Sequence, residues 1–170
     1  YNTTSTVLKG FGAQGTGAWA SGGILNSGRG SLASAGRTVD TSLAIGGGGT
    51  AYVEQYNGTS WTEIADINTA RNFLEGTGTS TAALTTGGGP PVSAANESWD
   101  GTSWSEENDL NTARGQGGEV GTSTAALYFA GAAPSTVYDL CEKWDGTSWT
   151  EVADLNTARR YANAGGVTNT

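Results

Sequence analysis

One sixteen-residue wording recurs three times: YNGTSWTEIADINTAR at 56–71, WDGTSWSEENDLNTAR at 99–114 and WDGTSWTEVADLNTAR at 144–159. Trp61, Trp104 and Trp149 are therefore 43 and 45 residues apart, and each precedes Arg71, Arg114 or Arg159 by ten. Trp19 and Arg29 keep the same ten-residue spacing upstream, in WASGGILNSGR. Recurrence at this period marks copies of one supersecondary unit, each too small to bury its apolar face alone and stable only when stacked on its neighbours. The chain reads as one domain, 1–170, with units at 30–71, 72–114 and 115–159 and a permuted fourth made of 160–170 together with 1–29.

The units are built of strands. The chain holds 28 Gly among abundant Ser, Thr and Ala, and Gly inside a helix costs roughly 1 kcal/mol relative to Ala. The dipeptides Asn57-Gly58, Asp100-Gly101 and Asp145-Gly146 mark tight turns between twisted strands, because both residue types tolerate positive φ. TSTAAL at 79–84 and again at 122–127 reads as a strand, and the Trp just past each turn as a wedge between neighbouring sheets. The hydrophobic fraction is only 36 %, but six Trp, six Tyr and three Phe can each bury roughly 150–250 Å². About four short strands per unit of some 42–45 residues predict an all-β fold.

The order of signals within a unit is the repeat Arg, then an apolar strand closing on Gly-Gly (Ala44-Ile45-Gly46-Gly47; Thr86-Gly87-Gly88), then Tyr56, Trp99 or Trp144, then the second Trp. This order resembles the kelch repeat, across nearly the whole chain. The first copy is degenerate and Phe129-Ala130-Gly131 departs from the glycine pair. The resemblance implies a β-propeller of four repeats, in which Trp19, Trp61, Trp104 and Trp149, Arg29, Arg71, Arg114 and Arg159, and Gly58, Gly101 and Gly146 are structural positions. Val7 in TSTVLKGFG holds the strand phase of Leu84 and Leu127. An N-terminal strand is thus expected to complete the last blade, within the chain or in a neighbouring subunit. The chain begins at Tyr1 and reads as trimmed, processed or excerpted.

Chemistry is sparse. No His is present, so Ser-His-Asp and Cys-His catalysis are excluded. Cys141 reads as a buried or incidental thiol, without an intrachain disulfide partner. Gly10, Gly12 and Gly15 carry glycine spacing of the dinucleotide type, but Gly and Ser follow where a helix is required. Glu106, Glu107 and Asp109 match no calcium-loop spacing and read as a solvated face. Arg71, Arg114 and Arg159 follow Asp66, Asp109 and Asp154 by five residues, which predicts ion pairs or hydrogen bonds stapling those loops. No catalytic residue, cofactor or metal is expected.

Sixteen Asp and Glu against eight Lys and Arg give a net charge of −8, which repels nucleic acid and anionic membranes. No apolar run reaches the roughly 20 residues a spanning helix needs. The wording of the repeat is also similar to kelch-like repeats in structural proteins of marine bacteriophages. That implies a non-enzymatic structural or interaction module at a virion or extracellular surface: an appendage, fibre or decoration protein. Its expected partners are other copies of itself or other particle proteins, with host-surface glycan as a further partner. The alternatives are a carbohydrate-binding adhesin and a subunit of an extracellular filament.

Overall fold

The computed structural model describes residues 23–165. The predicted positions of Trp19, of the Val7 strand and of most of the permuted fourth unit lie outside these residues. Every regular element described is a β-strand, and there are 14 of them.

Twelve strands form three four-stranded antiparallel sheets in which sequence neighbours pair. Sheet 1 contains β1 (Ala33–Thr38), β2 (Thr41–Ile45), β3 (Val53–Tyr56) and β4 (Trp61–Glu63). Sheet 2 contains β5 (Glu75–Thr79), β6 (Ala82–Thr86), β7 (Asn96–Trp99) and β8 (Trp104–Glu106). Sheet 3 contains β9 (Gly118–Thr122), β10 (Ala125–Phe129), β13 (Cys141–Trp144) and β14 (Trp149–Val152), with the hairpin β11 (Ala132–Ala133) and β12 (Thr136–Val137) inserted between its second and third strands. Among the described residues no sheet closes on itself.

Two turn types recur. The TSTAAL segments are not continuous strands: Ser80-Thr81 and Ser123-Thr124 turn the chain between β5 and β6 and between β9 and β10. The reason is local, since Thr79 and Thr122 Oγ1 accept the backbone N–H of Ala82 and Ala125 at 3.0 and 3.1 Å, an arrangement that competes with extended pairing. The Asn-Gly and Asp-Gly dipeptides stand in the expected turns between strands. Tyr56 pairs Trp61, Trp99 pairs Trp104 and Trp144 pairs Trp149, leaving four residues in each loop. In each loop one Oδ1, of Asn57, Asp100 or Asp145, accepts two backbone N–H groups at 2.7–3.0 Å. Gly58, Gly101 and Gly146 hold φ of 90°, 96° and 94°, a conformation that favours Gly.

The paired aromatics flank these loops at centroid distances of 5.2, 5.3 and 5.4 Å. The pairs Trp99–Trp104 and Trp144–Trp149 contribute to two layers of core between sheets. One layer joins Leu43, Ile45, Val53, Ile67 and Leu74 to Ala83, Trp99 and Trp104, so sheets 1 and 2 share it. The other joins Leu84 and Leu110 to Ala126, Tyr128, Trp144 and Trp149, between sheets 2 and 3. The Trp104 indole N–H donates to Ala65 O at 3.0 Å, bridging from sheet 2 to the strand of chain that leaves sheet 1. The first strands lie side by side, β1 against β5 and β5 against β9. Contact is close enough that a Cβ on Gly76 would sit 2.9 Å from Ser34 O.

Candidate interaction site at the loop end

The linkers between sheets create the site. The Asn68–Arg71 and Asn111–Arg114 stretches each clasp two sheets. The Arg71 guanidinium reaches Glu97 on β7 at 2.6 Å, and Gly87 O and Ala95 O at 2.9 and 2.7 Å. Arg114 pairs with Glu142 on β13 and donates to Ala130 O at 3.0 Å. Arg29 pairs with Glu54 on β3 and donates to Gly46 O at 2.8 Å. The same glutamates accept the backbone N–H of Asn26, Asn68 and Asn111 at 2.6, 2.7 and 2.8 Å. Burial alone would raise the pKa of Glu54; the bond from Arg29 and the N–H groups of Asn26 and Ser27 outweigh it and hold the group below the ordinary carboxylate range.

The expected aspartate staples are therefore corrected: the described ion pairs of these arginines are to glutamates. Asp66 and Asp154 instead accept Val53 N–H and Cys141 N–H at 3.3 and 3.2 Å. A guanidinium can reach five residues along a loop only if the loop folds back on it. Here the linkers run on from one sheet to the next, and the carboxylate that the guanidinium meets is on the sheet ahead. One sequence signal could have found it, since Glu54, Glu97 and Glu142 each stand seven residues before the turn Trp.

The residue that presents its carbonyl to each arginine has left-handed backbone: Gly46 at φ 59°, Gly87 at 67° and, in sheet 3, Ala130 at 63°. On the other side, the carbonyls of Arg71, Arg114 and Arg159 accept the N–H of Gly47, Gly88 and Gly131 at 2.9, 3.0 and 2.9 Å. Two residues beyond each Arg the backbone is left-handed again, at Ser31, Phe73, Gln116 and Tyr161. These positions are strung together, Tyr161 N–H to Gln116 O, Gln116 N–H to Phe73 O and Phe73 N–H to Ser31 O, at 2.6, 3.0 and 2.9 Å.

Phe73 and Gln116 of this ladder line a cleft of about 160 Å³, with Pro90, Val92, Ala133 and Pro134 also on its walls and Arg160 at its edge. The lining is mainly apolar, Gln116 is half-buried, and the Arg160 guanidinium lies 5.3 Å from the centre of the Tyr161 ring. The cleft is smaller than the roughly 300–1,000 Å³ pockets that enclose small-molecule ligands. It suits a protruding side chain or a single sugar ring. Apart from Phe73 and Gln116, its walls come from the loops at 86–94 and 130–136, which differ in length and residues between units.

A second cavity, of about 280 Å³, is bounded by β1, β5 and β9, with Arg37, Thr77 and Glu119 on its lining. Sequence reasoning missed Glu119 here and the half-buried Glu75 of β5 whose charge it affects. Burial raises Glu119 to about 8, against the bond from Thr86 Oγ1 and the charge of Arg71. Burial, and then the neighbouring Glu119, raise Glu75 to about 9. The two glutamates stand 44 residues apart, one off the 43 that separates Gly78 from Gly121, so they are not equivalent repeat positions and the period does not reveal them.

Trp61, Trp104 and Trp149 all lie on the fourth strand of a sheet, opposite their cross-strand aromatics. Cys141 is buried on β13, where burial raises its thiol pKa. No family model matches the chain, and no curated protein matches it.

Proposed function

We propose that the chain is a kelch-like β-propeller that works as a non-enzymatic display module of a virion appendage, fibre or surface decoration. The observation that carries this reading is a division of labour between residues. The contacts that hold the units together, Arg to Glu and Asn N–H to Glu, recur from sheet to sheet, whereas the loops walling the cleft do not. Loops on a rigid scaffold are where recognition usually resides. The propeller reading is supported by the meander of each sheet and by the approach of β1, β5 and β9 around one cavity. The virion reading is supported by the wording of the repeat. Immunogold electron microscopy of purified particles tests it: label on the particle surface is the expected result, and protein found solely free in the lysate overturns it.

The cleft supports a second reading, a carbohydrate-binding propeller. Apolar faces at Phe73, Pro90 and Pro134 beside the Arg160 cation fit the C–H face and the polar rim of a sugar. Binding on a glycan array that is lost in Phe73→Ala, with the unfolding midpoint kept, supports it. Silence across host glycans counts against it.

A further inference from the structure

Arg159 carries half of a clasp. Its carbonyl accepts Gly131 N–H at 2.9 Å, so this linker is seated on sheet 3 as the earlier linkers are seated on sheets 1 and 2. Its side chain is exposed and, among the described residues, donates to Thr157 O alone, at 3.3 Å. The other three repeat arginines reach a glutamate on the following sheet. All 16 Asp and Glu lie between Asp40 and Asp154, so residues 1–22 and 166–170 contain no side-chain carboxylate. The position seven before Trp19, where the other units carry their glutamate, is Gly12.

We propose that the linker Asn156–Arg159 is a docking site for Glu54 of a second copy of this chain, where it takes the place of that copy's own residues 26–29. The chemistry on both sides is already on view. Asn156-Thr157-Ala158-Arg159 is identical to the linkers that clasp Glu97 and Glu142, while the segment that clasps Glu54 reads Asn26-Ser27-Gly28-Arg29. The exchange therefore keeps the Asn N–H and the guanidinium on the carboxylate. It also replaces Gly28, whose freedom in the unfolded chain weakens its clasp, with an Ala, and a Cβ at position 28 meets nothing within 4 Å. Trading one element for an equivalent one from another copy is a low-cost route to association.

Sedimentation velocity over a concentration series tests the proposal. The unaltered chain is expected to self-associate, and Arg159→Ala to weaken association by about tenfold or more, with far-ultraviolet dichroism and unfolding midpoint unchanged. A chain that stays monomeric throughout, or an Arg159→Ala chain that associates as the unaltered one does, overturns it. Carbodiimide coupling of Arg159→Lys in a mixture of isotopically light and heavy copies gives an independent reading. A light-to-heavy link between position 159 and Glu54 is the expected product. No link, or a link confined to one copy or to another carboxylate, overturns the proposal.

Discussion

Substituting Arg114 tests the central energetic claim, that the units are held together by buried clasps. Arg114 and Glu142 are both 0 % exposed. Arg114→Met keeps much of the apolar stem but leaves Glu142 buried without its cation, and removing one partner of a buried pair costs about 3–5 kcal/mol. The carboxylate retains the Asn111 N–H and amide donors at 2.8 and 2.9 Å, which places the loss near the lower figure. Ala130 O and Thr112 O lose their donors at 3.0 and 2.9 Å, and the guanidinium 4.8 Å from the Tyr128 ring centre is lost as well. Together these return the expected loss to about 4 kcal/mol, a large part of the 5–15 kcal/mol typical of a folded domain. Urea unfolding followed by Trp fluorescence measures it. The double variant Arg114→Met with Glu142→Gln is expected to be more stable than Arg114→Met alone, because the stranded charge is gone. Arg159→Ala, at an exposed site, is expected to stay within about 0.5 kcal/mol of the unaltered chain. An Arg114→Met loss below about 1 kcal/mol, or a double variant no better than the single, would refute the reasoning.

Three further outcomes are expected. Glu119 holds its proton to about pH 8 in the folded chain and releases it near the ordinary carboxylate value when unfolded. Its contribution is thus full below about pH 4.5 and declines as pH rises through the folded value, by no more than about 1.4 kcal/mol per pH unit; Glu119→Gln should flatten unfolding midpoints measured between pH 5 and 8. Gly121 has φ of 134°, and a Cβ there would be driven into Ala125 O, so Gly121→Ala should cost about 2 kcal/mol or more in urea. Gly28→Ala should cost nothing measurable by the same assay. Trp104→Phe strands Ala65 O, which accepts the indole N–H at 3.0 Å, and should lower the thermal midpoint by the several degrees that about 1–2 kcal/mol represents.

Much of this arrangement is legible in the residues themselves. Asn57, Asp100 and Asp145 state their turns because an Asx side chain and the Gly after it fix the loop locally, without help from the rest of the fold. The same locality explains the misreading of TSTAAL, where Thr79 and Thr122 use their hydroxyls to turn a stretch whose composition favours extension. The clasps are different in kind. Arg71 and Glu97 are 26 residues apart, and Arg114 and Glu142 are 28 apart; only the shared spacing of Glu from Trp betrays them. Glu75 and Glu119 give no periodic signal at all, since they meet by the stacking of sheets rather than by position within a unit.

The strung linker backbones carry one more consequence. Every bond in that series runs the same way, from an amide on the later linker to a carbonyl on the earlier one. Among the described residues the stack is therefore vectorial: its two ends offer unlike groups, an amide at Ser31 and a carbonyl at Tyr161, and neither of these can pair with itself about a two-fold axis. Copies joined through those ends make heterologous contacts, which generate rings where the rotation closes and filaments where it does not. A symmetric dimer would have to use some other surface.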